Sequence, residues 1–396
     1  MSLSNTRKIS REELHKQYLS DPCKLLFNEF IVDAFKYQIK GYKYFLLSHF
    51  HSDHYLGLSS RWKCGIIIGT EITLNLVRYK FKVENEYLYV IPLNTPTYFE
   101  GSNNDGYIVT AIEAGHAPGS CCFVIKRISD GIIYLHVGDF RFDSTLQNDK
   151  NWKEYVFTQH INTLFLDTTY CDPQYKFKER QIICNEAVKI VKQSMGKTLF
   201  IVQTYTIGKE MFVEEIARQT GIKIHVDENK YSIVKLCKRD LSLYTLEESS
   251  LEIRTSTSNS SITSLTVELS QLPNKYDRII IFQPTGWAKK TTCKGSFEVK
   301  EYKMPYSEHS SFNELIDCYK MIHADHVIPS VIGEGQTSQK IIEMIERESK
   351  PKPGTLDSFF ISKKKFNSES IVPHKIKDFH EPLLSNKQVV SSIIID

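Results

Sequence analysis

No apolar run among these 396 residues approaches the roughly 20 needed to cross a bilayer. The opening stretch, MSLSNTRKISREELHKQYL, lacks the apolar heart of a secretory signal, and its glutamates argue against a mitochondrial presequence. The nine cysteines are odd in number and include no C-x-x-C pair, which excludes a disulfide ladder and a zinc knuckle and points to buried thiols in a reducing compartment. Together these absences lead to an expected place in the cytosol or nucleus. A large excess of either charge is also lacking: a net +3 permits a polyanionic partner without demanding one. No internal repeat occurs. The 41% apolar and 24% charged composition is that of a globular chain, and its length suits two cores or one enlarged core.

Short β-branched and aromatic runs dominate the first 140 residues, at 30–35, 42–49, 64–70, 107–114, 121–128 and 131–140, each bounded by Gly, Pro, Asn or Ser. A helix is expected near residue 53 and another from Thr70. After Asp167 the pattern changes. A helical face at Ile183, Ala187, Ile190 and Val191 precedes TLFIVQT (198–204), a helix over 208–221 and the strand-like IKIHV (222–226), a strand–helix–strand succession that implies parallel pairing. RIIIFQPT (278–285) reads as a buried strand, and the Ser/Thr-rich 249–264 as a loop or exposed edge. A helix over 311–322, a strand over 326–331 and a helix over 337–347 follow. Residues 349–396 are rich in Lys, Pro and Ser without a sustained period, so a flexible tail is expected.

The chemistry concentrates in FLLSHFHSDHYLGL, where an apolar strand runs into His49, His51, Asp53 and His54. Residues two apart on an extended chain share a side, so His49 and His51 face one ion, and the following turn sends Asp53 and His54 to a second position. Crowding imidazoles in this way is costly unless a metal uses them. GHAPGS supplies His116 and LHVGDF supplies Asp139, each where a strand stops. Taken singly, a turn-capping histidine and an Asx-turn aspartate are the ordinary readings. His309 in PYSEHSS is a fifth imidazole. Imidazole and carboxylate ligands suit zinc best, as one or two ions, with manganese or iron possible and magnesium or manganese serving in assays. A consistent set places His49, His51 and His116 on one ion, Asp53, His54 and His309 on the other, and Asp139 between them. Such a site favours a substrate that gains negative charge, such as a phosphodiester.

The ordered H-x-H-x-D-H, later His and later Asp resemble the metallo-β-lactamase signature. FLLSHFHSDHYLGLS, LHVGDFR, FLDTTYC, TYTIGKE, QPTGW, PYSEHSS and VIPSV are similar, in order, to motifs of the β-CASP DNA cross-link repair nucleases, relatives of Artemis and Apollo, nearest the interstrand cross-link 5′-exonuclease branch. The resemblance implies an α/β, four-layer αββα fold over 1–178 and 303–348, with an inserted β-CASP domain over 179–302. It implies that Asp33 orients the metal histidines, that Asp167 and His309 belong to the catalytic set with Asp53 and Asp139, and that Val331 marks a DNA-directed rather than RNA-directed member. TYTIGKE sits at a strand-to-helix junction, where free backbone N–H groups and Lys209 attract an anion. It resembles a pocket for a terminal 5′-phosphate, joined by Tyr205, Thr206 and Ser307. The alternative is an ordinary helix start with an exposed lysine.

In the tail, Leu356, Phe359 and Phe360 before three lysines resemble a sliding-clamp (PCNA) peptide, with Pro353 where a glutamine usually leads. The expected function is a metal-dependent 5′→3′ DNA exonuclease of the nucleus. An RNA-processing nuclease, a small-molecule hydrolase and a catalytically dead clamp-binding scaffold are the alternatives.

Overall fold

In the computed structural model, which describes residues 11–102, 104–257, 262–271 and 275–350, the β-branched runs of the first half pair into two sheets. In one, Phe30–Val32, Tyr44–Leu46, Ile66–Gly69 and Leu88–Val90 run parallel, with Leu25–Leu26 antiparallel at the edge. The other is ordered His326–Pro329, Thr163–Leu166, Ile133–His136, Cys121–Arg127, Gly106–Glu113 and Thr97–Glu100. Its first three strands pair in parallel and the rest antiparallel.

Alternation in these strands gives each sheet two apolar faces. The inner faces meet through Phe30, Val32, Leu46 and Ile68 on one side and Val109, Ala111, Phe123 and Phe165 on the other. Outside the first sheet, Leu74 and Val77 of helix Glu71–Phe81 cover Phe45, Leu47 and Ile67. Outside the second, helices Phe312–Ile322 and Ser338–Ser349 bring Phe312, Leu315, Ile341 and Ile345 onto Val124, Leu135 and Leu164. The result is the expected helix–sheet–sheet–helix sandwich. Helix 312–322 starts where its sequence says it should: Ser311 accepts from the Glu314 backbone and the Glu314 carboxylate accepts from Ser311 N, a reciprocal cap.

The stretch from 198 to 304 builds a third sheet, ordered Tyr244–Thr245, Ile224–His225, Glu252–Ser256, Thr198–Gln203, Arg278–Pro284, Val299–Met304 and Thr292–Gly295. Two expectations are corrected here. The strands at 198–203 and 224–225 do run the same way, but they do not pair with each other, because Glu252–Ser256 lies between them. That strand falls in the Ser/Thr-rich segment, where a loop or exposed edge is expected. Its Ile253 is fully buried, and Glu252 is buried through hydrogen bonds to Arg254 and Tyr276. A hydroxyl-rich run serves as an interior strand when its polar atoms find such partners.

The three sheets share one consequence. Strands 44–46, 106–113, 133–136 and 163–166, and 198–203, 252–256, 278–284 and 299–304 in the third sheet, all deliver their carboxyl ends to one cavity of about 660 Å³, lined by residues within a few positions after them. The tail residues Leu356, Phe359 and Phe360 lie outside the described residues.

Candidate metal centre

His49, His51, His116 and Asp139 bring four ligand atoms within 4.8 Å of one another, although 90 positions separate the first from the last. His49 Nε2 stands 2.9 Å from His51 Nδ1, and His116 Nε2 stands 3.2 Å from the same atom. Asp139 Oδ2 lies 3.6 Å from His49 Nε2 and 3.8 Å from His116 Nε2. The outer ring nitrogens decide what the inner ones are. His51 Nε2 meets the Ile207 carbonyl at 2.9 Å and His116 Nδ1 the Glu308 carbonyl at 2.9 Å. A carbonyl only accepts, so both outer nitrogens carry the proton and both inner ones present lone pairs. Burial, reinforced by neighbouring imidazoles, holds His49 and His116 well below the ordinary histidine value, and burial lowers His51 as well, so all three are neutral. Lone pairs and a carboxylate converging on one point repel one another unless a cation sits among them. The donor set therefore fits a metal ion.

The far side of Asp139 holds the other imidazoles. His54 Nε2 is 3.3 Å and His309 Nε2 3.9 Å from Asp139 Oδ2. Their outer nitrogens are held by buried carboxylates, His54 Nδ1 by Asp33 at 2.8 Å and His309 Nδ1 by Asp167 at 2.8 Å. Burial works against the charged form of His54, but Asp139 and Asp33 outweigh it and raise its pKa well above the ordinary value. Burial opposes the charge on His309 too, and Asp167 and Asp139 again prevail, lifting it to about 9. A cation bound between these Nε2 atoms and Asp139 would take the place of the protons that the carboxylates favour there, and Asp139's own carboxyl, despite burial, is drawn well below its usual range by His54 and His309. Asp53 Oδ2 lies 3.6 Å from His54 Nε2 at the mouth, with its side chain 78% exposed.

Asp33 and Asp167 are engaged by protein donors, although Asp167 also brings an oxygen within 4.8 Å of ligand atoms of Asp139 and His309, a second group that could hold an ion. Asp33 accepts from Ser48 N at 2.9 Å, Ser48 Oγ at 2.7 Å and His54 Nδ1. Asp167 accepts from Thr169 N and Oγ1 with one oxygen, and from Phe140 N and His309 with the other. Through these contacts each carboxylate positions an imidazole, Asp33 that of His54 and Asp167 that of His309.

At the TYTIGKE turn the structure corrects the expectation that backbone N–H groups are free for an anion. Gly208 N donates to the Glu210 carboxylate at 2.7 Å and Lys209 N to Glu308 Oε1 at 2.6 Å, because two of the protein's own carboxylates occupy the positive end of helix Glu210–Thr220. What remains for a ligand are side chains. Lys209 Nζ lies 4.3 Å from the Tyr205 ring centroid, and Tyr205, Thr206, Lys209 and Ser307 all line the cavity. Val331 lines it too, its main chain tied to Thr168 Oγ1.

Three participants escape a reading of the sequence. Ser48 Oγ lies 2.9 Å from His49 Nδ1 and donates to Asp33, linking that carboxylate to a second imidazole. Glu308 ties His116 to the 209 turn through its carbonyl and carboxylate, and burial with the neighbouring Glu210 pushes its carboxyl up to about 7. Both adjoin motif histidines, the one signal that could have marked them. Tyr306 is buried and lines the cavity, yet its hydroxyl finds no hydrogen-bond partner among the described residues.

Comparison with known proteins places the chain in a family. Residues 240–335 match the family described as DNA repair metallo-beta-lactamase. The chain is 33% identical over 352 residues to the DNA cross-link repair protein SNM1 of Arabidopsis thaliana, covering 81% of this chain and 68% of that protein. It is 31% identical to the human DNA cross-link repair 1A protein, covering 82% of this chain but 32% of that one, so it spans about a third of that longer relative. It is 26% identical to the 5′ exonuclease Apollo of Gallus gallus, covering 74% of this chain and 60% of that one. One third of its aligned residues are shared with a cross-link repair protein of which it covers more than two thirds, and residues 240–335 in its carboxyl half match the family model: the chain belongs to the DNA repair metallo-β-lactamases, the β-CASP group of cross-link repair nucleases.

Proposed function

We propose that this chain is a zinc-dependent 5′→3′ DNA exonuclease that hydrolyses phosphodiester bonds from phosphorylated 5′ ends in the repair of nuclear DNA. The observation that carries it is the convergence of outward-anchored imidazoles on Asp139 inside a cavity that also holds Lys209. His49, His51 and His116 would hold one ion, Asp53, His54 and His309 a second, with Asp139 between them. Bound metal would supply water activation near neutral pH and neutralise charge gathering on the phosphoryl oxygens.

The chain's own groups do the remainder. Asp33, Ser48 and Asp167 fix the imidazole tautomers so that lone pairs face inward. Lys209 offers the terminal phosphate a full positive charge, and the unpartnered Tyr306 hydroxyl offers a proton donor at a buried place where an uncompensated hydroxyl would otherwise cost about 1–3 kcal/mol. A cavity of about 660 Å³ has room for a terminal nucleotide. The division into 1–178, 179–302 and 303–348 is part of the same reading. It is supported by the return of strand His326–Pro329 to Thr163–Leu166 after the third sheet. Among the described residues no helix is long and apolar enough to cross a membrane.

Matched 5′-phosphorylated DNA and RNA single strands, incubated with the full chain with and without chelator, test this. Chelator-sensitive shortening of DNA from its 5′ end is expected. Preference for RNA overturns the DNA assignment that rests on Val331, and absence of metal-dependent cleavage favours the scaffold alternative.

A further inference from the structure

The sequence holds three tryptophans. Trp62 and Trp152 are core residues, 1% and 0% exposed, whereas Trp287 is 61% exposed and lines the cavity that holds the metal ligands. A tryptophan left in water at such a place has a large apolar face without protein to cover it. Its position is nevertheless constructed. Trp287 follows strand Arg278–Pro284, whose carboxyl end opens on the cavity, and its backbone N–H is held by Thr285 Oγ1 at 3.3 Å. The Tyr170 and Tyr175 rings brace it at 4.9 and 5.7 Å, inclined by 61° and 85°, so neither lies flat on the indole. Gly286 makes this possible, since a Cβ there would meet the Tyr170 ring hydroxyl and carbons at 2.5–2.9 Å. Tyr170 in turn packs 5.9 Å from the His309 ring, so two ring-to-ring steps connect the metal side of the cavity to the indole. Lys289 and Lys290, both exposed, stand two and three positions further along the chain.

An exposed aromatic face at a phosphodiesterase site, on a segment that also carries exposed cations, suits single-stranded nucleic acid: bases stack on the ring while cations follow the backbone. We infer that Trp287 is the stacking platform for a nucleobase adjoining the scissile phosphate, positioning the strand over the metal ligands without reading its sequence. This rests on the nuclease reading above. Every base has a stackable face, so the platform suits an enzyme that must proceed through any sequence.

The test compares the metal-loaded full chain with Trp287→Ala and Trp287→Phe on 5′-phosphorylated single strands, with natural terminal nucleotides or with abasic residues in their place. Trp287→Ala is expected to lower kcat/KM on the natural strand by about 10- to 100-fold, the loss that one base–aromatic stack entails, and Trp287→Phe to recover most of it. On the abasic strand the wild type should be slowed and Trp287→Ala should add little, because the partner is already gone. An equal loss on both strands, or none on the natural strand, overturns the stacking role while leaving the nuclease assignment intact. If the wild type fails to cleave the natural strand at all, the nuclease reading falls and the inference with it.

Discussion

Replacing Asp33 by asparagine separates the work of its charge from that of its shape. Asp33 has φ +47°, a left-handed conformation that asparagine tolerates at least as well, so the backbone and volume should persist. The hydrogen bonding cannot. Ser48 N can only donate, so the single oxygen of the substituted side chain must stay opposite it at the present 2.9 Å. The amide NH₂ then faces Ser48 Oγ and His54 Nδ1, which now lie 2.7 and 2.8 Å from the second carboxylate oxygen. The hydroxyl can rotate and accept. His54 must give up its Nδ1 proton, which moves to Nε2, the atom that faces Asp139 and would bind metal. Losing an anchor of this kind costs about 10–100-fold in metal affinity, or roughly 1.4–2.8 kcal/mol. Competition for zinc against a chromophoric chelator measures it, with thermal unfolding of the chelated protein as the control for folding. Zinc affinity within about twofold of wild type, in a variant that melts normally, would refute the claim that Asp33 sets the His54 tautomer.

Asp167→Asn should weaken metal binding in the same range through His309, because backbone or ring donors face both carboxylate oxygens; the same competition assay reads it. Lys209→Ala should reduce the preference for phosphorylated over hydroxyl 5′ ends by about tenfold or more while zinc affinity stays unchanged, seen in paired digests of the two strands. Leu315→Ala, at a fully buried position between helix and sheet, should cost about 2–5 kcal/mol in denaturant unfolding without altering the zinc affinity of the folded fraction. Gly57→Ala should cost at least about 2 kcal/mol, since φ is +109° and a Cβ would strike the Phe35 carbonyl; unfolding midpoints check it.

The candidate ligands His49, His51, His116 and Asp139, which the fold gathers, can be picked out in the chain because strand ends, glycines and histidines leave a local signature. His49 and His51 ride the end of a strand, and His116 and Asp139 follow strands whose β-branched runs are unmistakable. Strands Leu88–Val90 and Thr97–Glu100 are not legible in this way, since most of their residues are at least partly exposed and they carry no long apolar run. The Glu252–Ser256 strand is hidden by its polar residues, which find partners only through contacts such as that between Glu252 and Tyr276.

By itself the sequence determined the metal-binding chemistry, the layered fold and the family, because each depends on residue types at short spacing or in fixed order. Only the tertiary structure decided which groups close the site: the Ile207 carbonyl that orients His51 from 156 positions away, the carboxylates that occupy the 208–210 turn, and the indole of Trp287 at the cavity mouth. Hydrogen-bond partners and exposure arise where distant segments meet, and local patterning does not encode that meeting.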